Sequence, residues 1–164
     1  NRCIPLMMSS DYPKIINCSS VLGFISLPYR GVYSATKYSI EALTDALRRE
    51  NYDSKIKFVL IQPGPINTDI KKKSIKHFEK WIDWKKSIHE KTYENKVIKR
   101  LYDNNYKDSF NSYELQPDEV TKILIKVLNS KKPKARYKIT IQTKIAQIMI
   151  KLLPTNTLDW FFKI

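Results

Sequence analysis

Cysteine, long apolar runs and acidic residues are all scarce in this chain, and each shortage removes a class of protein. Two cysteines are present, Cys3 and Cys18. They are spaced neither like a metal site nor like a disulfide framework, so no metal centre is expected and a reduced, cytoplasmic setting is the simplest reading. No apolar stretch approaches the roughly 20 residues that a membrane span needs. Internal repeats, low-complexity tracts and an interdomain linker are also missing, so the 164 residues read as one domain, long enough for a real core. The first residue is Asn rather than Met, and the chain enters in a helical pattern. A partial domain is therefore expected, with any targeting signal out of reach.

Lys and Arg outnumber Asp and Glu by 30 to 16, for a formal charge of +14. The excess is uneven. Residues 131–151 hold Lys131, Lys132, Lys134, Arg136, Lys138, Lys144 and Lys151 and no acid, whereas residues 69–108 hold twelve basic and seven acidic side chains. A basic surface can face nucleic acid or anionic lipid. No nucleic-acid motif accompanies it, and the general abundance of Lys, Ile, Asn and Tyr marks a compositional bias. No nucleic-acid partner is expected.

What is present is a regular alternation of buried strands and amphipathic helices. Residues 1–10 read as the tail of a helix, stopped at Asp11-Tyr12-Pro13. Lys14 to Ser20 is a short, nearly continuous apolar run, as in a strand buried on both faces of a parallel sheet. A Gly- and Pro-bearing loop, 21–31, leads to a long helix over 32–50. Ala35, Ile40, Ala42, Leu43, Ala46 and Leu47 mark its apolar side, with Arg48 and Arg49 in the last turn, where cations suit the helix dipole. Residues 56–62 form a second buried strand, stopped by Pro63-Gly64-Pro65. Strand, helix and strand joined by short connections make a right-handed crossover unit. Ligands of open α/β sheets bind at the carboxyl ends of the strands, and both Ser20 and the Pro63–Thr68 turn fall there.

Residues 71–112 are highly charged yet carry Ile75, Phe78, Trp81, Ile82 and Ile88 at helical spacing, then Leu101, Tyr102, Tyr106 and Phe110. They read as a helical insertion, and His77 and His89 within it as surface histidines. Pro117 opens a helix over 117–129, with Val120, Ile123, Leu124, Val127 and Leu128 as its buried stripe. Tyr137 to Ile141 alternates like a final strand. The tail, 143–164, is amphipathic again: Ile145, Ile148, Met149, Leu152 and Leu153 precede Pro154, and Leu158, Trp160, Phe161 and Phe162 follow it. Core or dimer packing is the plainer reading of that tail. The basic flank admits a second one, peripheral contact with a membrane surface.

The chemistry concentrates between Ser19 and Lys37. Tyr33 and Lys37 stand four residues apart at the opening of a helix, so they share one face. A neighbouring cation favours the phenolate form of a tyrosine. Ser20, at a strand end, can hydrogen-bond the oxygen that the phenol protonates. That set performs general acid–base chemistry at a carbonyl or an alcohol.

Asn17-x-Ser-Ser20, Gly23 and Tyr33-Ser-Ala-x-Lys37 together resemble the active-site segment of the short-chain dehydrogenase/reductase family. Pro63-Gly64-Pro65-Ile66-Asn67-Thr68 resembles that family's nicotinamide-side motif, in the family's order and at a plausible separation. Arg48-Arg49-Glu50 looks like the steroid- and retinol-dehydrogenase-like branch. Lys132 to Tyr137, with Lys151 to Pro154, is similar to bacterial members described as NADP-dependent aldehyde reductases. Asn51 stands where Leu is usual, outside the chemistry.

The resemblance implies the C-terminal portion of a doubly wound, parallel-sheet Rossmann-type α/β domain, in which 71–112 is a helical lid over the substrate. It implies NADP or NAD as cofactor, NADP being favoured, and an apolar carbonyl or alcohol substrate. Tyr33 would be the general acid/base. Lys37 would support it and hold the nicotinamide ribose, and Ser20 would polarise the substrate oxygen. Pro63, Gly64, Ile66 and Thr68 would shape the nicotinamide pocket. The family commonly forms homo-oligomers. Its Gly-rich pyrophosphate turn and its catalytic Asn have no counterpart in this sequence and are expected upstream, so the chain alone is expected to be inactive. The competing expectation is a non-catalytic nucleotide-binding regulator or scaffold of the same fold. The presence of all three catalytic side chains argues against it.

Overall fold

The computed structural model describes residues 3–103 and 113–163. Residues 1–64 with 118–163 form one compact unit, and residues 65–117 a second. In chain order the elements are α1 (Cys3–Met7), β1 (Lys14–Cys18), α2 (Gly31–Glu50), β2 (Lys57–Gln62), α3 (Ile70–Trp81), α4 (Glu90–Thr92), α5 (Lys99–Tyr102), α6 (Pro117–Asn129), β3 (Arg136–Lys138), α7 (Ile141–Leu152) and α8 (Thr155–Phe162).

The first unit is built on a parallel sheet of order β1-β2-β3. β2 lies between the other two, with Ile16 opposite Val59 and Leu60 opposite Arg136. Its run Phe58-Val59-Leu60-Ile61 is wholly buried, as an uninterrupted apolar strand of a covered parallel sheet should be. β1 reads almost as apolar, yet it is only half-buried and ends in an exposed Cys18. Among the described residues a strand borders it on one side only, which accounts for the departure from full burial.

Two further expectations need correction. The apolar side foreseen for α2 is not its buried side: Ala35, Ala42 and Leu43 are exposed, and Ser34, Glu41 and Thr44 are buried instead. These polar groups tolerate burial because most find partners on strands. Asn17 Nδ2 donates to Thr44 Oγ1 (2.9 Å), which donates to Ile40 O (2.6 Å), and Gln62 Nε2 donates to Glu41 Oε1 (2.9 Å). The last strand is also shorter than its alternation suggests. β3 ends at Lys138; Ile139 N still donates to Gln62 O at 3.2 Å, and Thr140 then accepts from Thr143 N and starts a helix. A threonine hydroxyl offered to an unpaired helix-terminal N–H outweighs three residues of alternation.

The second unit packs a small core of its own. Val97 is buried, the rings of Phe78 and Tyr93 lie 6.1 Å apart, and Tyr102 Oη donates to Glu79 Oε1 at 2.8 Å. A π-helical segment, Tyr93–Ile98, joins α4 to α5. Tyr106 and Phe110, also expected in this unit, lie outside the described residues.

Candidate active site

β1 and β2 deliver their ends to one place. Beyond the last paired residues the ladder continues into the loops: Ser19 N donates to Ile61 O (2.9 Å) and Val21 N to Pro63 O (2.7 Å). Ser20 is therefore held between two backbone anchors, where β1 gives way to the turn Val21–Gly23. Its hydroxyl accepts from Leu22 N at 3.2 Å and caps that turn. A hydroxyl has one proton to give and two lone pairs. With a lone pair on Leu22, the Ser20 proton remains to be donated.

Gly23 is required by proximity. A Cβ there would meet Ser19 Oγ at 2.4 Å and the Lys37 carbonyl oxygen at 3.2 Å. The loop thus lies directly against the start of α2, which carries the other two candidates. Lys37 donates from Nζ to Cys18 O at 3.1 Å, and its ammonium sits 5.7 Å from the centre of the Tyr33 ring. The spacing of four along the helix has produced the shared face that was expected. An ammonium has three donors, so two stay available beyond Cys18. Tyr33 is 38% exposed, and its hydroxyl has no hydrogen-bond partner among the described residues. An open phenol beside a cation, at the carboxyl end of a parallel strand, is suited to give a proton to a bound oxygen.

The Pro63–Thr68 motif is divided between the units. Pro63 and Gly64 close β2 in the first unit. Gly64 lies so near the start of α7 that a Cβ would come within 2.1 Å of Thr140 Oγ1 and 2.7 Å of Thr143 Oγ1. Ile66 and Thr68 belong to the second unit, where Ile66 bridges to Leu115 and Thr68 Oγ1 accepts from Ile70 N at 3.5 Å.

Sequence reasoning did not find the charged cluster between α2 and β3. Arg136 on β3 donates from Nε to Glu41 (3.1 Å) and from Nη2 to Asp45 (2.6 Å), and Arg48 also pairs with Asp45 at 2.7 Å. Burial raises the Asp45 pKa, and the hydrogen bonds and charges of Arg136 and Arg48 together outweigh it, so the net direction is down. The sole signal available beforehand was a Glu and an Asp at i and i+4 on a helix next to a sheet.

A parallel sheet with helices packed on it, and a Tyr/Lys pair and a serine near its strand ends, is an α/β arrangement. Comparison with known proteins specifies it further. The model of the short chain dehydrogenase family matches residues 1–79. A short-chain type dehydrogenase/reductase of Helicobacter pylori, VdlC, is 32% identical over 162 residues, covering 99% of this chain and 56% of that protein. The NADPH-dependent 3-dehydrocapnine reductase of Ornithobacterium rhinotracheale is 32% identical over 159 residues, 91% of this chain and 49% of that one. A short-chain dehydrogenase of Burkholderia cenocepacia, solved with NADP, superposes with a TM-score of 0.65 at 15% identity, over 97% of this chain and 52% of its own. The chain belongs to the short-chain dehydrogenase/reductase family and has its Rossmann-type fold. It spans about half the length of the curated relatives it matches.

Proposed function

We propose that this chain is the carboxyl-terminal half of an NAD(P)-dependent oxidoreductase that interconverts an apolar aldehyde or ketone with the corresponding alcohol. The observation that carries the proposal is the Lys37 ammonium 5.7 Å from the Tyr33 ring centre while tied to Cys18 O, two residues before Ser20, whose hydroxyl accepts from Leu22 N. The donor set fits the nicotinamide end of a dinucleotide, because Lys37 keeps donors for a ribose diol and Tyr33 and Ser20 point to a single oxygen chemistry. The Gly-rich turn that would hold the pyrophosphate is not among these residues.

When bound, the nicotinamide supplies or removes the hydride. In the reducing direction Ser20 donates a hydrogen bond to the carbonyl oxygen and polarises it. Tyr33 would transfer its proton to that oxygen, which would leave a phenolate on the tyrosine. Lys37 would stabilise that phenolate and hold the ribose, and Pro63 and Gly64 would lie on the nicotinamide side. In oxidation Tyr33 takes the proton back. NADP is the preferred cofactor, in keeping with the NADPH-dependent relative.

The aromatic side chains of the second unit support an apolar substrate and a substrate-covering role for residues 71–112. The exposed side of α2, with Val32 at 85% and Leu43 at 63%, supports assembly into a homo-oligomer. Two free cysteines suit a reducing cytoplasm.

The test follows reduced-nicotinamide absorbance with the complete polypeptide and a chain-length series of aldehydes and ketones, beside Tyr33→Phe. Turnover lowered by about 10²–10⁴-fold in Tyr33→Phe, with the cofactor still bound, is expected. Cofactor binding without turnover on any carbonyl or alcohol would replace the enzyme with a nucleotide-binding regulator. Preference for short, charged substrates would remove the apolar class.

A further inference from the structure

Helix α7 has apolar residues on its outward face as well as on its inward one. Thr143 and Ala146 are buried and define the inward face. At 100° per residue, Ile141, Ile145, Ile148 and Leu152 form one narrow stripe on the opposite side. They are exposed to 70%, 51%, 57% and 75%. An ordinary surface helix turns its apolar stripe to the core and its charges to water; here four large aliphatics face water. Lys144 and Lys151, both exposed, run along one rim of the stripe. After the Pro154 turn, α8 adds Trp160 at 61% and Phe161 at 53% exposure, with the Lys163 ammonium 5.4 Å from the Trp160 ring centre.

The charge around this surface selects its partner. From residue 131 onward the chain carries Lys131, Lys132, Lys134, Arg136, Lys138, Lys144, Lys151 and Lys163 against a single acid, Asp159. Lys138, at the end of β3, has its pKa lowered by burial and then by Lys151, Arg136 and Lys144, so these cations share one field. A second copy docked symmetrically on the stripe would set Lys144 and Lys151 against their own equivalents without acids to offset them. A surface that is apolar at depth and negative at its rim has the complementary order. Aliphatics enter the acyl boundary, exposed aromatics sit at headgroup level, and lysines reach back to the headgroups.

We propose that α7 and α8 are a peripheral docking surface for a bilayer that contains anionic lipid, with Ile141, Ile145, Ile148 and Leu152 entering the interface and Lys144 and Lys151 engaging the headgroups. This goes beyond the catalytic reading and does not depend on it. The helix lies in the membrane plane and crosses nothing; among the described residues no helix is long and apolar enough to span.

The experiment is co-sedimentation of the complete polypeptide with vesicles of phosphatidylcholine alone or mixed with phosphatidylglycerol, at low and high salt. The same is done with Ile145→Asp/Ile148→Asp and with Lys144→Glu/Lys151→Glu. Each variant is checked for folding by thermal melting and for size by analytical ultracentrifugation. Binding to the anionic vesicles that salt weakens is expected, falling by at least about fivefold per lysine changed and lost in the isoleucine pair. Should the isoleucine pair fail to fold, the lysine pair alone decides. No pelleting at low salt, or equal pelleting with neutral vesicles, overturns the proposal. So does binding that neither variant alters. An isoleucine variant that instead breaks an oligomer, with no vesicle binding by the unaltered protein, assigns the stripe to a second copy and overturns it as well.

Discussion

Replacing Gly64 with Ala tests the packing of the turn that follows β2 more sharply than any other single change. No glycine among the described residues has a positive φ, so the need for glycine at 64 is one of space. The added Cβ would lie 2.1 Å from Thr140 Oγ1, 2.7 Å from Thr143 Oγ1 and 3.2 Å from Thr140 Cβ. Both threonines are fully buried, and their hydroxyls are 2.9 Å apart in a mutual hydrogen bond. Restoring ordinary contact needs a retreat of about 1 Å, an overpacking that costs about 1–3 kcal/mol. Turning Thr140 aside instead gives up its cap on Thr143 N, about 1 kcal/mol. Either response places the destabilisation at about 1–3 kcal/mol, or a melting point lower by roughly 2–12 °C. Urea unfolding should show a lower midpoint at unchanged slope. Thr140→Ala removes the nearest atom, so a double-mutant cycle should return a favourable coupling of about 1 kcal/mol or more. A Gly64→Ala protein within about 0.5 kcal/mol of the parent, or a strictly additive cycle, would refute the close approach of this turn to α7.

Arg136→Met should destabilise by about 2–4 kcal/mol in urea unfolding, because it leaves the largely buried Glu41 without its cation. Gln at position 41 in the same background should recover part of that loss. The Asp45 carboxyl has its pKa lowered on folding, so its contribution is complete above the unfolded value, about pH 4, and drains away as pH falls through the folded one. Acid unfolding of Asp45→Asn should therefore show a shallower dependence below about pH 4 than the parent does. Thr44→Val removes the acceptor for Asn17 Nδ2 inside the first unit and should cost about 1–3 kcal/mol, read by the shift in urea midpoint.

Local pattern carried the backbone plan well and the side-chain wiring poorly. The helix at Pro117–Asn129 and the strand at Lys57–Gln62 are legible because proline at a first turn and a continuous apolar run are local signals. The meeting of Ser20 with Pro63 followed from the rule that parallel strands end together, and the Val21–Pro63 hydrogen bond realises it. The inward side of α2 was misjudged because its partners lie far off in sequence. Glu41 answers to Gln62 and Arg136, and no periodicity over residues 32–50 announces a residue 95 positions away. Alternation through Ile141 suggests a longer strand because it cannot show that Thr140 will cap a helix. The need for glycine at 64 is equally silent in the sequence, because it depends on two threonines that arrive from beyond β3.

The polar inward side of α2 has a mechanical meaning. An apolar helix face can roll or slide on a sheet at small expense, since one greasy contact replaces another. This helix is moored to all three strands: to β1 through Lys37 on Cys18 and Thr44 with Asn17, to β2 through Glu41 and Gln62, and to β3 through Glu41 and Asp45 on Arg136. Each tether is directional, and a turn of a single residue would slacken all of them at once. The angle at which Tyr33 offers its hydroxyl is thus set by bonds one to three turns down the helix. The Tyr33 side chain therefore keeps a fixed bearing on the sheet.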